Sequence, residues 1–296
     1  MSTNLYIGLL LFTIIQGCGH KSNHQEREIH NKLTDGNNMI LQEKETINPD
    51  GKILLTRFIP PEGFQRTELT ENSFAGYLRR LPLKPHNSEV MLYNGRRKTN
   101  NGIYDAVVDL DIGTKDLHQC ADAIMRLRAE YLWTKKQYDK IHFNFTNGFR
   151  CEYTEWIKGK RIVINGNTVS WKQIADSSNT YTDFWKYLEI VFSYAGTLSL
   201  EQELEPVSID DIQIGDVFIQ GGSPGHAVIV VDIAINSTTD KKIFLLAQSY
   251  MPAQEIQILK NPEDDTISPW YCTDFSDKLV TPEWVFNKND LKRFEE

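Results

Sequence analysis

The chain is poor in cysteine, lacks a long apolar run and carries no surplus of positive charge, and each lack narrows its chemistry. Its 4 cysteines among 296 residues fall in no C-x-x-C pair, which excludes a zinc finger or a small disulfide-built scaffold. No GxxxxGK[ST] loop and no HExxH helix are present, so neither a P-loop nucleotide site nor that type of zinc protease is encoded. With 32 Lys and Arg against 40 Asp and Glu the formal net charge is −8. That balance argues against a general nucleic-acid binder, which needs a basic face. Nothing approaches the length of several membrane spans. What is present, 40% hydrophobic and 24% charged residues, is the composition of a globular chain with ample length for a buried core. No repeat at a 20–50 residue period is visible.

The one apolar run, Leu5 to Ile15, is too short to span a bilayer and fits the core of a signal peptide. It ends in Ile15-Gln16-Gly17-Cys18, which resembles a bacterial lipobox. That resemblance implies a signal peptide over residues 1–17 and a lipid on Cys18. It places the protein in the cell envelope, anchored to a bacterial membrane and facing the periplasm or the outside. An ordinary secretory signal, or an uncleaved anchor helix, is the alternative reading. Residues 18–50 are polar and include His20, His24 and His30 at loose spacing. They read as a flexible tether rather than a metal site. Residues 51–296 then form a single domain.

Within that domain Lys52 to Ile59 reads as a strand, and Ser73 to Leu81 as a short helix stopped by Pro82. The clearest helix spans about Lys115 to Lys135. Leu117, Cys120, Ala121, Ile124, Leu127 and Tyr131 recur on one face. The pairs Asp122–Arg126 and Arg126–Glu130 lie on another. Thr182 is placed to cap a helix running to about Tyr194. Two hairpins turn at Asn94-Gly95 and Asn165-Gly166. The last third is β-rich. Asp216 to Ile219, His226 to Ile233, Lys242 to Tyr250 and Ile256 to Leu259 form a meander, which makes the fold class α+β.

Two residues suggest chemistry: Cys120 on the long helix, and His226 opening an apolar strand. A nucleophilic thiol needs a base, and an imidazole needs a third group to fix its tautomer. The turn near Thr238 pairs the two strands antiparallel, which puts Gln248 across from the start of the His226 strand. The side chain of Gln119 or the backbone N–H of Cys120 is the candidate oxyanion donor. Asp232 shares the strand face of His226 but lies about 20 Å along the chain, too far for contact. The bland readings stand beside these. A cysteine on an apolar stripe often only fills a core. If Thr114 caps the helix, Cys120 lies beyond the first turn; if Asp116 caps it, Cys120 is near its end. His118 reads as solvated, His142 as a weaker alternative base, and His86 as a loop residue. Cys151 is a rival nucleophile, or a disulfide partner of Cys272. Trp156, Trp171, Trp185 and Tyr250 line a cleft or fill the core. No metal and no cofactor is expected.

Ile214-Gly215-Asp216-Val217-Phe218-Ile219 followed by Pro224-Gly225-His226-Ala227-Val228-Ile229 resembles a segment of papain-like bacterial cell-wall hydrolases, the NlpC and CHAP groups. There the strand-start His is the base, and the nucleophile is an upstream Cys at a helix start. Asp116 to Ala123 matches that place. The resemblance implies a papain-like core with inserted helices and hairpins. Its reaction would be thiol hydrolysis or acyl transfer at an amide bond, of the kind found in peptidoglycan peptides. Catalysis would fall to Cys120, His226 and Gln248. Gln119 stands where those enzymes usually carry Asp or Asn. A wider similarity rests on Gln119-Cys120-Ala121-Asp122-Ala123, His142 to Gly148, Gly225-His226-Ala227-Val228 and Ala247 to Gln254. It points to bacterial envelope lipoproteins carrying a domain of unknown function, which implies no established activity. A non-catalytic lipoprotein that binds a cell-wall component or protein partner is the rival reading.

Overall fold

The computed structural model describes residues 46–166 and 168–295. The signal peptide, Cys18 and the tether as far as residue 45 lie outside the described residues. The domain starts slightly before Gly51. Thr46 donates to the Ser268 carbonyl, and Ile47 bridges Phe58, so the last tether residues are docked on the domain.

Among the described residues nine strands join in one sheet. They are β1 (Phe64–Arg66), β2 (Tyr104–Val107), β3 (Glu205–Pro206), β4 (Val217–Gln220), β5 (His226–Asn236), β6 (Lys242–Gln248), β7 (Gln257–Leu259), β8 (Tyr271–Cys272) and β9 (Leu291–Arg293). The order is β2-β7-β6-β5-β4-β9-β3, with β1 also on β5 and β8 also on β6. All pairings are antiparallel. The helices are α1 (Leu54–Arg57), α2 (Phe74–Arg79), α3 (Cys120–Thr134), α4 (Tyr153–Ile157), α5 (Tyr181–Tyr194) and α6 (Thr197–Glu203). No described helix is long and apolar enough to cross a membrane. The fold is thus α+β with a mainly antiparallel sheet.

β5 and β6 are buried on both faces, which their unbroken apolar sequences require. Ala227, Ile229 and Val231 join the core shared with α3, α5 and α6. Val228 and Val230 join a second core with Phe218, Phe244 and Phe286, under the small hairpin Lys278–Val280/Val285–Asn287. Helix α3 is buried nearly all round, Asp122, Arg126 and Glu130 included. Its polar residues therefore face partners rather than water. Arg126 pairs with Glu130 at 3.2 Å and lies over the Trp185 ring, and Tyr181 donates to Glu130 at 2.6 Å. Asp122 does not serve Arg126 but accepts from the Gln119 amide at 3.0 Å.

Several elements differ from the sequence reading. Lys52 to Ile59 is not a strand: Leu54–Arg57 is one helical turn between bridges at Ile53 and Phe58. Its apolar residues are core plugs, not an alternating strand face. Thr180, not Thr182, caps α5 and accepts from Asp183 N. Cys151 and Cys272 are both free, and Cys151 is wholly buried in the first core. Simple alternation also fails for Asp232. Leu245 faces Asp232 and Leu246 faces Val230, so β5 carries an extra residue there. The bulge turns Asp232 away from the His226 face, onto Arg66 (2.6 Å) and Arg79 (2.7 Å).

Asp232 is fully buried, and the Arg79 side chain is 9% exposed. Removing one member leaves a buried charge uncompensated. Asp232→Ala should therefore destabilise the domain by about 3–5 kcal/mol in denaturant unfolding; a loss under about 1 kcal/mol would refute this assignment.

Candidate functional site

The loop before α3 is tied to the loop after β6. Asp116 Oδ1 accepts from Ala253 N at 2.7 Å and from Gln119 Nε2 at 3.2 Å. Ser249 Oγ lies 2.8 Å from the carbonyls of both His118 and Gln254. These bonds hold residues 116–119 out of the helix. Gln119 is extended (φ −92°, ψ −165°) and becomes the N-cap, so the helix begins at Cys120 rather than near Lys115. Neither Thr114 nor Asp116 caps it. Cys120 is thereby the first helical residue, where backbone N–H groups are unpaired and the helix dipole favours negative charge.

The Cys120 residue is 6% exposed and borders a cleft of about 400 Å³. One wall is the first turn of α3, a second is Ala195 to Leu198, and the third is Gly222 to Gly225 with Met251. Burial first, then the Asp122 carboxylate, pushes the thiol up to about 11. The backbone N–H groups of Ala121, Ala227 and Cys120 work the other way. The Ala227 amide at the thiol places Cys120 at the very start of β5.

His226 opens that strand. Gly225 before it is fixed by space, since a Cβ there would lie 2.5 Å from both the Gly222 carbonyl and Thr197 Oγ1. The His226 ring points to the second-core face, where Tyr250 (4.9 Å), Trp284 (5.4 Å) and Phe286 (5.9 Å) surround it. Its Nε2 lies 2.9 Å from Gln248 Oε1, which leaves Nδ1 as the other ring nitrogen. Burial lowers the imidazole to about 4, so it is neutral at pH 7. Tyr250 links the two centres: its ring meets His226 edge-on, and the charge of Cys120 helps raise its phenol. Among the described residues no hydrogen bond joins the thiol to the imidazole. At rest both groups are neutral, not an ion pair.

Behind Gln248 lies a layer the sequence did not reveal. Gln248 Nε2 donates to Glu283 Oε2 at 2.7 Å, and Lys98 Nζ lies 2.9 Å from both Glu283 oxygens and over the Tyr250 ring. Lys98 belongs to the basic stretch that follows the Asn94-Gly95 turn, and Glu283 is remote in sequence; no local signal marks either.

The other candidates fall elsewhere. Gln119 lines the cleft, with its side-chain amide already donating to Asp116. His118 is not solvated. It is 1% exposed, with Nδ1 on the Gln254 carbonyl at 3.3 Å and Nε2 3.5 Å from Arg126. His142 sits in a different cleft beside Glu203. Trp156 is core, Trp171 and Trp185 pack against the core, and of the four proposed aromatics Tyr250 adjoins the site. Among the described residues no group of three or more His, Cys, Asp or Glu could hold a metal ion.

Burial, then Arg126, lowers His118 from 6.5 to about 3. Its folded-state value is depressed, so its contribution is complete above pH 6.5 and is lost as pH falls through that window. Glu203, raised to about 7 by burial, acts with opposite sign, so the test is a difference. The stability gap between wild type and His118→Gln, read by urea unfolding, should shrink from pH 6.5 to pH 4; a constant gap would refute the assignment.

No curated protein and no solved structure matches the chain. A family model does match, over residues 54–293, and its description is "Domain of unknown function (4846)". That span is most of the chain and nearly all of the sheet and helices described above, so the protein belongs to this family.

Proposed function

We propose that this protein is a thiol hydrolase or acyl transferase acting on an amide bond, with peptidoglycan peptides as its substrate class. The observation that carries the reading is the placement of Cys120 at a helix start, on an open cleft and against the first residues of the strand that begins with His226. The core would be papain-like in the sense of the NlpC and CHAP resemblance.

Cys120 sulfur adds to the amide carbonyl carbon as its proton passes to His226 Nδ1. The backbone N–H groups at the start of α3 face the developing oxyanion, with the Gln119 side chain beside them. His226 returns the proton to the leaving amine, giving a thioester. Water attacks that thioester in hydrolysis, or an acceptor amine in transfer. Gln248 holds the ring through Nε2. A thiol held near 11 and an imidazole near 4 do not exchange a proton spontaneously at pH 7. Proton transfer therefore accompanies attack on bound substrate, where groups loose in the free enzyme draw together. The lipobox resemblance adds a lipid on Cys18 and an envelope location, facing the periplasm or the outside.

The raised, largely covered thiol also favours a second reading, a non-catalytic lipoprotein that binds a cell-wall component in the same cleft. Incubation with muropeptides separates the two. The hydrolase reading expects new peptide ends by mass spectrometry, none with Cys120→Ala, and kcat/KM lowered by about 10²–10⁴-fold in His226→Ala. Muropeptide binding without cleavage, or cleavage that survives Cys120→Ala, would overturn it.

A further inference from the structure

The ring of His226 can carry its proton on either nitrogen, and with Nε2 on Gln248 Oε1 only one choice leaves Nδ1 with a free lone pair. Gln248 does not settle the matter by itself, because its side chain can present either oxygen or NH₂. It is 1% exposed, so water does not arbitrate. The decision comes from the next residue. Glu283 accepts from Gln248 Nε2 at 2.7 Å, and a carboxylate has no hydrogen to offer. Lys98 Nζ, 2.9 Å from both of its oxygens, donates to the same carboxylate. The Lys98 side chain is 7% exposed and that of Glu283 13%, so the pair is shielded from solvent.

We infer that the Lys98–Glu283 ion pair sets the tautomer of His226: Glu283 holds the Gln248 NH₂ toward itself, Gln248 Oε1 then faces the ring, Nε2 carries the hydrogen, and Nδ1 keeps its lone pair. Glu283 is a positioning residue. It touches neither thiol nor imidazole and acts through one amide. The surroundings agree with this direction. The other groups packed on the ring are the side chains of Tyr250, Trp284 and Phe286. The Trp284 indole N–H is already donated to Gln220 Oε1 at 2.9 Å, which holds that ring in place and removes it as a competitor. Were Glu283 absent, Gln248 could rotate and offer its NH₂ to Nε2. The hydrogen would then move to Nδ1, and that nitrogen could no longer accept a proton.

The inference deepens the hydrolase reading by naming what readies its base, but the tautomer exists whether or not the protein cleaves anything. The experiment is ¹⁵N-¹H NMR of histidine-labelled full-length protein at pH 7, read at the two His226 ring nitrogens. Wild type should show the Nε2–H tautomer. Glu283→Ala should shift the population toward Nδ1–H, and Glu283→Gln, whose amide can both donate and accept, should give a mixture. An Nδ1–H ring in the wild type overturns the inference. So does an unchanged Nε2–H ring in the folded Glu283→Gln protein, which serves if Glu283→Ala fails to fold. An Nε2–H wild type that shifts in the variants while muropeptides stay intact would retire the hydrolase reading and leave this one standing.

Discussion

The site depends on one constraint, the clasp between the loop that leads into α3 and the loop that leaves β6. Asp116 takes the amide of Ala253, and Ser249 lies within reach of two carbonyls, those of His118 and Gln254. These are buried or half-buried bonds, worth about 1 kcal/mol each and costly to leave unmade. Their geometric effect is larger than their energy. They stop the helix one residue before Cys120 and press its first turn against the open end of β5 and β6. The clasp accounts for the N-cap at Gln119, the thiol beside the Ala227 amide, and the Tyr250 ring against His226.

The same packing explains the electrostatics. The sheet is buried on both faces, so ionisable groups at its edge lose solvation and are held in their neutral forms. His118 and His226 are pushed down and Cys120 up. At Asp232 with Arg66 and Arg79, and at Glu283 with Lys98, direct ion pairing replaces the lost water. The site therefore combines a neutral thiol and a neutral imidazole with an ionic layer one residue further out.

Much of the architecture was legible from sequence because it rests on local signals. The apolar runs of β5 and β6, the Asn165-Gly166 turn and the periodicity of α3 each fix an element without reference to the rest. The turn near Thr238 was enough to bring Gln248 toward His226, which lies at 2.9 Å. What escaped was non-local. The helix start moved from Lys115 to Cys120 because residues far along the chain hold Asp116 and His118. The bulge at Asp232 depends on two arginines from α2 and β1. Lys98 and Glu283 are 185 residues apart along the chain, and no local pattern brings them together. His118 looked solvated because the opposite side of its segment is filled by a loop that follows β6.

The central claim is that the folded protein presents a usable thiol beside an imidazole. The most direct measurement is the rate at which Cys120 in the native, full-length protein is alkylated by a small chloroacetamide near neutral pH, mapped by peptide mass spectrometry. The account predicts modification of Cys120 in the folded state, with buried Cys151 spared, and a rate reduced about tenfold or more in His226→Ala. Modification of Cys120 only after denaturation, or at a rate indifferent to His226, would contradict it.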